Sequence, residues 1–140
     1  MYIEDKKLKE FIIDAGLVSR EDISEAGKKC AEKKTPLGDF LVSEGKLTED
    51  DLKRVQAYIL GIPFIDAGST KIPFEILSII PEPIARKHNI IAYKKDDQNL
   101  EVAMLDTDDL SSVDFVHKKT GLRILPRLTS TDSLKKALIQ

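Results

Sequence analysis

Residues 7–30, KLKEFIIDAGLVSREDISEAGKKC, and residues 36–59, PLGDFLVSEGKLTEDDLKRVQAYI, are one pattern written twice. Sliding the chain by the offset from Leu8 to Leu37 superimposes Leu8, Phe11, Gly16 and Asp22 on Leu37, Phe40, Gly45 and Asp51. Ile12/Leu41, Ile13/Val42, Val18/Leu47, Ser19/Thr48 and Ile23/Leu52 match in kind. A fixed period of this size marks one supersecondary unit used repeatedly, and two copies are too few for a stacked solenoid. Two copies packed face to face give a small pseudo-symmetric helical module.

Within copy one, Leu8, Phe11, Ile12 and Ala15 recur at helical spacing and make one apolar face. Gly16 then stands where a helix commonly ends in the left-handed conformation. Ser19 and Asp22 form the S/T-x-x-D/E pattern of a new helix start, and Ile23, Ala26, Gly27, Cys30 and Ala31 supply the next buried stripe. Copy two repeats the plan. Pro36 suits a first helical turn, Leu37, Phe40 and Leu41 form the face, and Gly45 stops it. Thr48 and Asp51 restart the chain, and Leu52, Val55, Gln56 and Ile59 continue to Gly61. Tight links between short helices predict that the four pack as two antiparallel pairs.

The texture changes at Gly61. Pro63 and Pro73 bracket an irregular stretch with Gly68, Ser69 and Thr70, so 61–73 reads as a linker between a helical module (1–60) and a second domain (74–140). Phe74 to Ile80 predicts a short helix, and Pro81 and Pro83 start another that ends near His88-Asn89. Ile90, Ile91 and Tyr93, then Leu100, Val102, Met104 and Leu105, flank the polar turn KKDDQN as a hairpin. Asp106, or a residue just after it, caps a helix through Val113, Val116 and His117 that Gly121 terminates. Leu122 to Leu128 is a third strand and Thr131 to Ile139 a last helix, with Leu134, Ala137 and Leu138 on one side. The fold class is α+β: a duplicated helical module followed by a small three-stranded sheet with helices.

Composition narrows the function. Of 140 residues, 41% are hydrophobic and 33% charged, which suits a globular protein. The 22 basic and 24 acidic residues leave a net charge of −2, with 11 basic and 13 acidic up to Leu60 and 11 of each after it, so neither half has the excess of Lys and Arg that a nucleic-acid surface needs. One cysteine, Cys30, makes no internal disulfide. The start MYIEDKKLKE lacks a signal-peptide core, and no run reaches a membrane span. The expected location is the cytoplasm, with any membrane role passing through a partner.

Catalytic signatures are missing. There is no G-x-x-x-x-G-K-[ST] phosphate loop and no zinc spacing among Cys30, His88 and His117. His88 is expected at a helix end and His117 on a helix surface, neither with a catalytic partner. Asp106, Asp108 and Asp109 lack the spacing of a calcium loop and read as caps and turns. The expectation is no enzyme, no cofactor and no metal.

The repeat resembles the paired motif at the start of the traffic ATPases of type II secretion and type IV pilus assembly. That motif reads R-L-G-x-x-L-x-x-x-G, a leucine seven on, a second four later and a glutamine three after that. ILGIPFIDA, ILSIIPEPIARKHNIIAY, LEVAMLDTDD and TGLRILPRLTSTDSLKKAL resemble the adjoining region of the same proteins. The resemblance implies a coupling arm that docks a cytosolic ATPase onto an inner-membrane platform protein, hydrolysis being the work of later domains. The chain is then either a fragment of such an ATPase or a solitary adaptor.

In some members the doubled motif binds cyclic di-GMP through an arginine and a glutamine in each copy. Here the arginine positions hold Lys7 and Pro36, the glutamine positions Cys30 and Ile59, and the first motif glycine is Lys9, while the second remains as Gly38. If the nucleotide bound, Lys7, Leu8, Leu37 and Gly38 would line its site. Lysine replaces the planar arginine fork only as a point charge, and proline and isoleucine offer no side-chain donor. The expectation is a scaffold that has kept its packing residues and lost its ligand contacts.

Overall fold

The computed structural model describes residues 3–139. The chain divides into two compact units that meet in sequence between Gly61 and Ile62.

The first unit holds four helices, α1 (Asp5–Asp14), α2 (Arg20–Lys33), α3 (Leu37–Ser43) and α4 (Glu49–Leu60). Their starts are set locally. Ser19 Oγ accepts from the Asp22 amide at 3.1 Å, and Thr48 Oγ1 accepts from the Asp51 amide at the same distance. Each thereby satisfies one of the orphan donors of a first turn. The stops are local too: Gly16 and Gly45 have φ of +71° and +73°, where a Cβ is strained. Helix α2 ends instead on Lys34, left-handed at φ +55° without the help of glycine.

The pairing differs from the expectation of two antiparallel hairpins. α1 packs chiefly on α4, and α2 on α3, with α1 also meeting α3. The first helix of each copy thus lies against the second helix of the other. A lone hairpin cannot cover its own apolar stripe, and the crosswise arrangement buries Leu8, Ile12, Ile23, Leu37, Phe40, Leu41 and Leu52 in one cluster. Gly27 and Ala31, expected in the stripe of α2, are exposed, as is Ala15.

The second unit contains α5 (Phe74–Leu77), α6 (Glu82–His88), β1 (Ile90–Lys95), β2 (Asn99–Met104), α7 (Leu110–Thr120), β3 (Arg123–Leu128) and α8 (Thr131–Leu138). The sheet order is β1-β2-β3, with β1 and β2 antiparallel and β2 and β3 parallel. The register slips between Ala92 and Lys94, so Tyr93 is the extra residue of a bulge. Ile90, Ala92, Leu100, Val102 and Met104 fill the core on one sheet face, with Val116 and Leu134 from the helices.

Of residues 61–73, expected as a linker, Gly61 closes the first unit as the C-cap of α4, and the stretch from Ile62 on is built into this unit. Pro63 O accepts from Leu128 N at 3.1 Å, Ile65 N donates to Leu128 O at 2.9 Å, and Thr129 Oγ1 donates to Ile65 O at 2.7 Å. Gly68 N donates to Ser133 Oγ, and Ala67 and Ile72 are buried in the core. Strand β3 is an edge whose backbone groups need partners, and this segment supplies some of them.

Candidate functional site

The motif residues of the repeat converge where α1, α3 and α4 meet. Leu8 and Leu37 are buried, and Gly38 sits under both neighbouring helices. A Cβ added to Gly38 would lie 2.7 Å from Leu52 Cδ1, closer than carbon atoms pack, and a tight 3.1 Å from Leu8 Cδ2. This glycine lets α3 approach α1 and α4. Lys7, one residue before Leu8, points outward, and Lys9 is likewise exposed.

The remaining positions of the doubled motif carry little that could grip an anion. Pro36 is the exposed N-cap of α3 and makes no side-chain capping bond, and Ile59 is half-buried against the core. Cys30 is buried, and burial first, then the Asp5 carboxylate, pushes its thiol above the ordinary value of 9.0. It is a protonated core residue at neutral pH. Gln56 stands where the family pattern has its second leucine, one turn from Leu52, and its Oε1 is buried with no hydrogen-bond partner.

The two copies have diverged most at their surfaces. Between α2 and α3, Asp22, Glu25, Lys29, Phe40, Glu44 and Lys46 line a shallow cleft of about 220 Å³. Lys29–Glu25 at 3.7 Å and Lys46–Asp22 at 3.9 Å are exposed ion pairs there, which contribute little stability. At the equivalent place between α1 and α4, Phe11 meets Tyr58 with ring centroids 5.6 Å apart, and Leu17 replaces Lys46.

In the second unit the sequence reading missed a His–Ser–Asp contact. His88 ends α6, and its Nδ1 lies 3.1 Å from Ser112 Oγ, which donates to Asp109 Oδ2 at 2.7 Å. Asp109 is also the N-cap of α7, accepting from the Ser112 amide at 3.2 Å and from Ser111 Oγ at 3.0 Å. These bonds, Ser112 Oγ foremost, hold its carboxyl below the ordinary carboxylate value of 3.8. Serine occupies the middle of this chain and is 1% exposed, its proton committed to a carboxylate. A nucleophile needs histidine in the middle and an open approach. The contact is therefore a tie between α6 and α7. The cap expected at Asp106 or a residue just after it falls on Asp109, whereas the contact with the distant His88 carried no local sequence signal.

His117 is exposed and its Nδ1 lies 2.7 Å from Leu122 O. Asp106 Oδ1 accepts from the Asp108 amide, so Asp106 and Asp109 both serve turns and caps. Among the described residues no group of three or more His, Cys, Asp or Glu could hold a metal ion, and no helix is long and apolar enough to cross a membrane.

Residues 60–140 match the model of the MshEN domain family. The chain is 25% identical over 132 residues to the type IV pilus assembly ATPase PilB of Myxococcus xanthus, covering 94% of this chain and 23% of that protein. It is 28% identical over 138 residues to the type IV pilus assembly ATPase PilB of Thermus thermophilus, covering 97% of this chain and 16% of that protein. It thus spans less than a quarter of the length of these relatives. Among solved structures, MshE with cdg superimposes with a TM-score of 0.71 at 22% identity, covering 94% of this chain and 96% of that one. The N-terminal domain of XpsE gives a TM-score of 0.64 at 19% identity, with 99% and 97% covered. These two likenesses are likenesses of fold.

Proposed function

The chain belongs to the MshEN domain family, the N-terminal domain of type IV pilus and type II secretion ATPases, and from that premise we propose that it is a non-catalytic docking arm. It couples a motor to the cytosolic domain of an inner-membrane platform protein and is held at the cytoplasmic side of that membrane through the partner. The observation that carries this reading is a fold like that of MshE over 94% of the chain, with residues 60–140 matching the family model, joined to a repeat whose ligand-gripping positions are Lys7, Pro36, Cys30 and Ile59. Leu8, Leu37 and Gly38 survive because they pack α1, α3 and α4 together. Charge-assisted hydrogen bonds contribute roughly 1.5–3 kcal/mol each. Several lost together exceed what micromolar binding, about 8 kcal/mol, can spare. The sequence holds no phosphate loop, in keeping with a part that transmits force and hydrolyses nothing.

The test is a calorimetric titration of this chain with the cytosolic domain of the cognate platform protein. Saturable binding in the micromolar range or tighter is expected. Absence of heat at high micromolar concentration of both proteins would overturn the docking role.

A second reading, a cyclic di-GMP receptor, draws on a specific observation: MshE, a neighbour in fold, has a structure with cdg, and Gly38 keeps its place in the motif. On that reading Lys7, Leu8, Leu37 and Gly38 line the site. Titration with the nucleotide at near-physiological salt separates the two, low-micromolar binding favouring the receptor.

A further inference from the structure

One face of the three-stranded sheet is buried where Ile91 and Ala103 lie and partly open beyond them, and its side chains follow from the register. Lys94 pairs with Glu101, Glu101 with Leu125, Asn99 with Arg123 and Ala103 with Arg127, so these residues share a face. Leu125 lies outside the hydrophobic core that its neighbour Ile124 joins on the opposite face. Arg123 is exposed, and the Lys94 side chain is 74% exposed.

Charge on this face is one-sided. Lys94, Arg123 and Arg127 stand against one carboxylate, Glu101. That carboxylate is already saturated, by the Tyr93 hydroxyl donating at 3.0 Å, Arg127 Nε at 3.5 Å and Lys94 Nζ at 3.9 Å. Asp96 and Asp97 lie at the hairpin tip, where Asp96 is occupied by donors from Gln98 and Asn99.

The spacing adds a second constraint. Arg123, Leu125 and Arg127 alternate along β3, so the two arginines are about 13 Å apart with an apolar side chain midway. An extended peptide reading acidic–x–apolar–x–acidic has the same repeat, its alternate side chains directed at one face. We propose that this face binds an acidic, extended segment of the docking partner, with Arg123 and Arg127 taking carboxylates, Leu125 taking an apolar side chain and Lys94 adding charge. The proposal rests on the docking role for the source of the segment. A bilayer surface has no such repeat, which favours a peptide over anionic lipid.

The experiment uses the full chain and a fluorescein-labelled peptide built on Glu-Ser-Leu-Ser-Glu, read by anisotropy. Saturable binding is expected, weakening with salt, with a loss of at least about tenfold in Arg123→Glu and a smaller one in Lys94→Glu. Both side chains are exposed, and circular dichroism checks that each variant folds. A scrambled peptide, Glu-Glu-Ser-Ser-Leu, is expected to bind at least about tenfold more weakly. No binding of the patterned peptide, equal binding by Arg123→Glu, or binding to phosphatidylglycerol vesicles in place of the peptide would overturn the proposal. The platform domain separates the two claims. If it binds the native chain and both variants alike, the face is wrong and the docking role stands. If the peptide binds as expected and the platform domain does not bind at all, the docking role fails and the face stands.

Discussion

Gly38 shows how a motif residue can be kept for packing. Its missing side chain lets Leu52 and Leu8 close over α3, and a methyl group there would meet Leu52 Cδ1 at 2.7 Å. Overpacking costs roughly 1–3 kcal/mol, offset by up to about 1 kcal/mol of helix propensity. Gly38→Ala is therefore expected to lower stability by about 1 kcal/mol, seen as a lower urea midpoint. Gln56 is the opposite case, an amide oxygen buried without a partner at a position the pattern gives to leucine. Gln56→Leu is expected to raise stability by about 1 kcal/mol in the same assay, because it removes an unsatisfied buried acceptor and puts apolar surface in its place. At this scale the sequence shows which residues are apolar and how they repeat. It does not show what they touch: the close approach at Gly38 depends on Leu8 and Leu52, which reach it from two other helices.

The helix starts and stops of the repeat were legible because their causes are local. A hydroxyl three residues before an acidic residue, and a glycine that can turn left-handed, act within a few residues of the chain. Ser19→Ala and Thr48→Ala are each expected to cost about 1 kcal/mol, with the urea midpoint again the readout, and both sites should respond similarly because their cap distances are equal. Partner choice was not legible. The crosswise pairing of α1 with α4 and α2 with α3 is decided by which stripes bury each other, and the packing of 62–72 is decided by the needs of the distant edge of β3. Proline and glycine in that segment mark irregular backbone and say nothing of whether it is docked. The α7 cap also carries a pH dependence. The Asp109 carboxyl is held below 3.8, so its contribution is present above that value and lost as pH falls through the lower, folded-state value. Asp109→Asn is expected to lower stability in the neutral region, where the charged carboxylate contributes, and to flatten the acid limb, the two curves converging as pH falls well below about 4.

On this account the chain as a whole has kept its fold and lost its ligand grip. The α+β architecture was legible almost element by element, since hydrophobic period and turn residues mark the helices and strands of both units. The open sheet face was not, because it emerges only when β2 and β3 are set in parallel register and Arg123, Leu125 and Arg127 come beside Glu101. Proteins that share this fold include MshE, which has a structure with cdg, so fold alone does not decide between a docking arm and a nucleotide sensor. The docking proposal rests instead on Lys7, Pro36, Cys30 and Ile59 at the gripping positions. The measurement that tests this most directly is the calorimetric affinity of the chain for the platform protein's cytosolic domain, taken with and without saturating cyclic di-GMP. The same dissociation constant is expected in both titrations. Binding that occurs only with the nucleotide, or changes at least about tenfold when it is added, would contradict it.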